Sequence, residues 1–235
     1  MFYTIIIQPL TNVLVLFTSF LGGNLGLSVI LMTIFVKLLL LPFAYSSLKS
    51  QLVMKKMQPK INEIKKQYPD NVEQSKKIME LYKEANTNPF AGCLPILIQF
   101  PLIIGLYKVF LNGATFEPTI LYSFMSLPVH ISDSFFGILL SEKSYFLAIF
   151  AGIAQYIQLH FSPSTQNTLS DDTDKDSTVR LMENMQKNMK YILPIMIVFF
   201  TLVVPAAIAI YWITTSLVTL VQEFWMYQRI KKETI

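Results

Sequence analysis

The sequence predicts an all-α integral membrane protein with five transmembrane helices, a cytoplasmic helical hairpin and an N-terminal interfacial helix. Three observations carry that expectation. First, 53% of the 235 residues are hydrophobic and only 14% are charged, whereas soluble domains carry about 25% charged residues. Second, apolar runs that approach or reach the roughly 20 residues needed to cross a bilayer recur along the chain. Third, lysine is concentrated between the first two runs, with nine in residues 46–88. The length fits one compact membrane domain. Cys93 is the only cysteine, so an intrachain disulfide is excluded.

Residues 1–23 lack a basic leader region and a small-residue cleavage site. They predict an amphipathic helix lying in the membrane interface, broken by Pro9 and Asn12 and ended by Gly22-Gly23. No lipobox cysteine lies near the start, so no N-terminal lipid anchor is expected. Span one is expected over 24–45. Residues 46–88 follow as a hairpin, because Val53, Met57, Ile61, Ile64 and Tyr68 recur at helical spacing. Tyr68–Asn71 ("YPDN") signals the turn, and Ile78, Leu81, Tyr82 and Ala85 form the facing seam. Pro59 should kink the first arm.

Residues 89–235 should hold spans two to five. Span two is expected over 90–111 and span three over 144–161. The run from Tyr191 to Phe224 is too long for one span. Pro205 divides it into a short fourth span, 191–203, and a fifth, 207–224. The loop 113–143 carries Lys143 as its only lysine and is assigned outside by the positive-inside rule. The loop 162–190 and a short tail with Arg229, Lys231 and Lys232 are assigned to the cytoplasm, which leaves the N-terminus outside. Residues 163–178 are polar and acidic and predict disorder. Met182, Met185 and Met189 then share a face of a short helix.

Polar residues inside apolar runs mark the candidate site. Lys37 sits within "TIFVKLLLLP", where a lysine at mid-span costs roughly 2.5–3.5 kcal/mol. Gly26, Thr33, Lys37 and Ala44 are read on one face of span one. Gln99 lies in span two and Gln155 and Gln158 in span three. Trp212, Thr215, Thr219 and Gln222 fall on one face of span five. Such residues point into a bundle or a wet cavity rather than at lipid. Each glutamine alone also fits a dry interhelical contact. Lys37 has no carboxylate within the first four spans, and Glu223 sits at the cytoplasmic end of the fifth. The charge therefore predicts a hydrated cavity opening to the cytoplasm. Lys108, near the outer end of span two, can snorkel to the surface.

Several chemistries are absent from the pattern. There is no P-loop, no H-E-x-x-H and no cysteine pair for metal. His130 and His160 have no nucleophile nearby in sequence. No enzymatic activity, cofactor or metal is expected.

"NPFAGCLPILIQFPLIIGLY", Asn88 to Tyr107, resembles the second-core-span signature of the YidC family of membrane protein insertases. "GLSVILMTIFVKLLLLP", "LYKEANTNPF" and "IYWITTSLVTLVQ" resemble the same family in the same order. The resemblance implies five core helices around a hydrophilic groove that is open to the cytoplasm and to lipid. Nascent proteins would enter that groove and leave it sideways into the bilayer. The family's basic residue in span one, usually arginine, corresponds to Lys37, which keeps the charge but not the planar fork. Gln158 and Trp212 match groove positions. The candidate groove set is thus Lys37, Thr33, Gln99, Gln155, Gln158, Trp212 and Thr215. Lys55, Lys56, Met57, Lys65 and Lys66 are the candidate hairpin contacts to partners. Nascent membrane proteins and the lipid bilayer are the expected partners, with the Sec translocon and the ribosome as further candidates. No DNA partner is expected, nor the tail-mediated ribosome docking of members with a long basic tail. The chain is expected to act as a monomer in a bacterial inner membrane. A small transporter or channel, and a non-catalytic assembly scaffold, are the competing readings of the same polar cavity.

Overall fold

The computed structural model describes residues 3–85, 87, 94–111, 116, 120–128, 130–163 and 177–233. Residues 88–93, the first part of the second-span signature, and the acidic stretch 164–176 lie outside the described residues, as does Cys93.

The described chain is helical apart from one small hairpin. A π-helical turn at Tyr3–Ile7 leads into α1, Gln8–Phe20, then α2, Leu25–Leu39. Pro9 does not break α1. It stands in the first turn, where its missing N–H costs no hydrogen bond. Asn12 does not break it either, because its amide donates to Gln8 O and across to Ile120 O. Gly22 and Gly23 do end the segment, with φ of 62° and 88°. Asn24 caps α2 by accepting from Leu27 N at 3.0 Å. α1 buries Leu14 and Val15 in the main core and leaves Leu16 and Phe20 exposed, the two-faced pattern of an amphipathic helix.

The expected straight span over 24–45 is instead broken. α2 ends at Leu39, and α3 runs from Leu41 to Gln67 at 62° to it. Pro42 explains the break: it has no N–H for the Leu38 carbonyl, and its ring crowds that turn. The first arm of the hairpin therefore begins five residues before the expected position 46. α3 passes through Pro59 without interruption. α4, Asn71–Glu84, returns along it, capped by the Asp70 carboxylate, which accepts from Val72 N and Glu73 N. Met57 and Ile61 are buried in the seam, and Gln74 closes the turn by donating to Lys65 O and Tyr68 O.

α5 covers Leu94–Leu111. A two-residue hairpin not expected from sequence, β1 Ser134–Phe135 and β2 Ile138–Leu139, turns through Phe136 and Gly137, both at positive φ. α6, Tyr145–Phe161, starts at the Ser144 cap. α7, Ser177–Val203, is one helix through the methionine segment and the fourth apolar run. The chain turns at Pro205, as expected, and α8 runs from Ala206 to Glu233.

The segment around the β-hairpin staples one end of the bundle. Ser132 N donates to Gly23 O, and Leu25 N donates to Ser132 O, at the α1–α2 turn. Ala206 N and Ala207 N donate to Glu142 O and Leu140 O at the α7–α8 turn. Phe135 packs where a side chain on Gly26 would stand. The main core of Leu14, Val15, Leu25, Val29, Met32, Leu106, Phe110 and Tyr211 lies just beneath. Outward faces of α2, α6 and α7 expose large apolar side chains, among them Leu31, Phe35, Phe150, Ile153, Ile195 and Phe199. Water is a poor solvent for so continuous an apolar surface, whereas lipid suits it.

Among the described residues, α8 alone meets the length and apolarity of a spanning helix, over Ala206–Lys232. The bent pair α2–α3 meets them together, while Tyr145–Phe161 and Met189–Val203 are shorter apolar helices.

α6 and α7 are packed close at Gly152, where an added methyl would collide with Val198 and approach Pro194 O to 3.1 Å. Valine is stiff about χ1 and cannot simply swing away. Gly152→Ala should therefore destabilise the protein by about 1–3 kcal/mol, measured by thermal unfolding in detergent. Adding Val198→Ala should return part of that loss; no recovery in the double variant would show that α6 and α7 are not in this register.

Candidate functional site

The expected polar face divides into two constellations joined by α8. The first lies between α2 and α8. Lys37 Nζ donates to Thr219 Oγ1 at 2.9 Å, and Gln222 Nε2 donates to Lys37 O at 3.1 Å. That carbonyl belongs to the last turn of α2, which the Pro42 break leaves without a helical partner for Leu38 and weakens around it. Thr219, Gln222 and Glu223 stand at i, i+3 and i+4, which puts all three toward α2. Among the described residues, Lys37 makes no direct bond to a carboxylate. Glu223 lies within coulombic reach of it and hydrogen-bonds Ser162, just past the end of α6.

Beside Lys37 is a small pocket, lined by Met32, Thr33, Val36, Lys37, Leu102 and Tyr211. Most of that lining is apolar. Thr33 is buried and its hydroxyl donates to its own helix at Val29 O. Gln99 Nε2 donates to the Tyr211 hydroxyl at 2.8 Å, so α5 is tied to α8 at the pocket's edge. Thr215, one turn beyond Tyr211, is buried near that hydroxyl without a well-formed bond of its own.

The second constellation lies between α6 and α8. Gln155 is its centre: its Oε1 accepts from Trp212 Nε1 at 2.7 Å and from Ser216 Oγ at 3.4 Å. Its Nε2 donates to Gln158 Oε1 at 2.8 Å. Gln155 and Ser216 are buried. This is the interhelical contact that each glutamine alone also suggested, and it joins the two helices by a mutually satisfied network.

The remaining site residues separate. Gly26 is filled by Phe135 at the stapled end, and Ala44 lies beyond the α2–α3 break, against Leu48, Met226 and Ile230. The predicted stripe Gly26–Thr33–Lys37–Ala44 therefore contributes only Thr33 and Lys37 to the pocket. In the hairpin, Lys55 Nζ donates to Pro163 O at 3.1 Å, docking α3 on the end of α6, and burial there pushes its ammonium down from the ordinary lysine range. Lys56 and Lys66 are exposed, Lys65 is half-buried, and Met57 belongs to the buried seam. Sequence reasoning missed Tyr211, Ser216 and Ser162. Tyr211 carried a usable signal, since Tyr211 and Thr215 are four apart on one helix face. Ser216 and Ser162 carried none, because an isolated serine is neutral to most patterns. Among the described residues, no cluster of three histidine, cysteine, aspartate or glutamate side chains could hold a metal.

Comparison with known proteins places this architecture. Residues 16–233 match the family model described as 60Kd inner membrane protein. The chain belongs to this family. Among curated members, the membrane protein insertase YidC of Fusobacterium nucleatum is 29% identical over 208 residues, covering 88% of each chain. That of Oceanobacillus iheyensis is 30% identical over 219 residues, covering 91% of this chain and 79% of its own. A crystal structure described as an active YidC insertase with the first transmembrane domain resolved matches with a TM-score of 0.60 and 26% identity. The match covers 88% of this chain and 43% of that one. The family's fold thus accounts for the mostly helical architecture.

Gln155→Leu should test the second constellation. It leaves a buried Trp212 N–H without its acceptor, a loss of about 1–3 kcal/mol, read as a lowered unfolding midpoint in detergent. Gln158→Leu removes one peripheral acceptor and should cost less. Equal losses in both variants would show that Gln155 is not the centre of the network.

Proposed function

We infer that the chain is a membrane protein insertase, the activity named for its curated relatives. The observation that carries this reading in the molecule itself is Lys37, a cation beside a small pocket between α2, α5 and α8. We place the five apolar helices α2, α5, α6, α7 and α8 across the bilayer, with α1 in the interface and the lysine-rich α3–α4 hairpin in the cytoplasm. The N-terminus is then outside and the C-terminus inside. The pocket is the inner part of a hydrophilic groove that faces the cytoplasm and lipid.

In this reading Lys37 attracts the polar or acidic segment of a nascent membrane protein. That lowers the desolvation cost of bringing the segment part-way across. The apolar segment meanwhile slides into lipid along α6 and α8. Burial of a spanning helix supplies the driving force, so no covalent step and no nucleotide is required. The exposed lysines of the hairpin, Lys56 and Lys66 among them, suit anionic lipid or ribosomal RNA, and the Sec translocon and ribosome are the proposed accessory partners. The bundle acts as a monomer. The hydrogen-bonded staple across the outer end speaks against a through-channel, since it ties both helix turns to the β-hairpin segment.

Lys37→Arg should retain activity, because it keeps the charge. Lys37→Gln should leave the bundle folded and reduce insertion of substrates with acidic external segments, with a smaller effect on matched neutral ones. The measurement is the inserted fraction in vesicles holding each variant at equal abundance. Unchanged insertion of both substrates by Lys37→Gln would remove the charge from the mechanism.

A further inference from the structure

Glu223 makes no direct bond to Lys37 among the described residues, yet it lies half-buried beside it. It is a carboxylate on an otherwise apolar stretch of α8, next to Gln222 and one turn after Thr219, the two residues that hold Lys37. One of its oxygens, Oε2, is buried and has no hydrogen-bond partner among the described residues. The other end of its contacts is Ser162, which belongs to the chain just after α6. It is within coulombic reach of Lys37, yet the ammonium makes its direct bond to Thr219 rather than to the carboxylate.

A buried carboxylate oxygen without a donor is costly to keep. Glutamine at this place could bond Ser162 equally well and would carry no charge. A purely structural role therefore leaves the charge unexplained. A charge facing Lys37 at a distance has one clear effect: it offsets the cation's field without occupying its donors. Among the described residues, Lys37 Nζ bonds only Thr219, which leaves two of its three ammonium donors for an incoming group.

We propose that Glu223 is a built-in counter-anion of the Lys37 site that sets how acidic a substrate segment must be to be held there. The proposal rests on Lys37 being the receiving site. With Glu223 in place, the site binds weakly enough to release the segment after insertion. An acidic segment competes with Glu223 for the same cation, and a neutral segment does not. Glu223 therefore tunes selectivity between them, acting through Lys37.

The test is a double-mutant cycle on the full chain, reconstituted at equal abundance in phosphatidylcholine–phosphatidylethanolamine vesicles. Matched substrates with acidic or neutral external segments are compared for the amount held at the site, by crosslinking of stalled chains, and for the inserted fraction. Glu223→Gln should raise the acidic-to-neutral holding ratio about threefold to tenfold, the span expected for removing one competing charge from a partly hydrated site. Glu223→Asp keeps the charge and should stay near the parent, which controls for altered packing. In the Lys37→Gln background, Glu223→Gln should have no further effect on the ratio. An unchanged or lowered ratio in Glu223→Gln overturns the proposal while leaving Lys37 as the receiving site. An effect of the same size in the Lys37→Gln background also overturns it, because Glu223 would then repel substrate directly. Loss of any acidic preference difference between the parent and Lys37→Gln overturns the receiving-site reading itself.

Discussion

A lysine ammonium among apolar helices is the constraint around which this protein is arranged. Left alone it costs roughly 2.5–3.5 kcal/mol at mid-span, and a bundle meant only for stability would carry leucine there. Here the surroundings reduce that cost without abolishing the charge. Thr219 accepts one hydrogen bond, Glu223 lies within coulombic reach, and Gln222 secures the backbone carbonyl of Lys37 itself. The helix breaks at Leu40, three residues after Lys37, so the cation stands near the end of a helix rather than in the middle of a long one. The shortened helix lets the ammonium sit beside a pocket instead of in closed packing.

α8 makes this arrangement possible because it faces both neighbours. Its polar residues divide along its length, Trp212 and Ser216 toward Gln155 on α6, then Thr219 and Gln222 toward Lys37 on α2. The small residues Ala206, Ala207 and Ala209 at its start are fully or almost fully buried, which brings the helix close to the stapled turns. One end of the bundle is thus tied by backbone hydrogen bonds that do not depend on side-chain chemistry. The other end is held by the apolar cluster of Leu48, Met226 and Ile230, by a few polar side chains and by Lys55 against Pro163 O.

Much of this was legible in the residues. The helical hairpin followed from the spacing of Met57 and Ile61 and from the turn signal at Tyr68–Asn71, because both signals are local. The turn at Pro205 followed from a run too long for one span. The break at Leu40 was less legible: Pro42 lies within a continuous apolar run, and hydropathy is blind to direction. The β-hairpin at Ser134–Leu139 was missed because its strands are only two residues long and its turn places Phe136 as well as Gly137 at positive φ. In the site, Lys37 stood out by its cost alone. Its partners could not be read, since Glu223, Thr219 and Ser162 lie far from it in sequence and meet it only when α2, α6 and α8 pack. Gln155 and Trp212 were found as polar residues in apolar runs, but their mutual bond is a tertiary fact that no periodicity encodes.

The central claim is that a substrate segment passes beside Lys37 and leaves along α6 and α8. Site-specific photocrosslinking to a stalled nascent membrane protein tests it most directly. Photoreactive residues belong at Val36, which lines the pocket, at Gln158 on α6, and at Leu16 on the exposed face of α1 as a reference. The account predicts strong crosslinks to the substrate's polar and apolar segments from positions 36 and 158 and weak ones from position 16. Crosslinks that are equal at all three positions, or absent at both 36 and 158 while insertion proceeds, would contradict it.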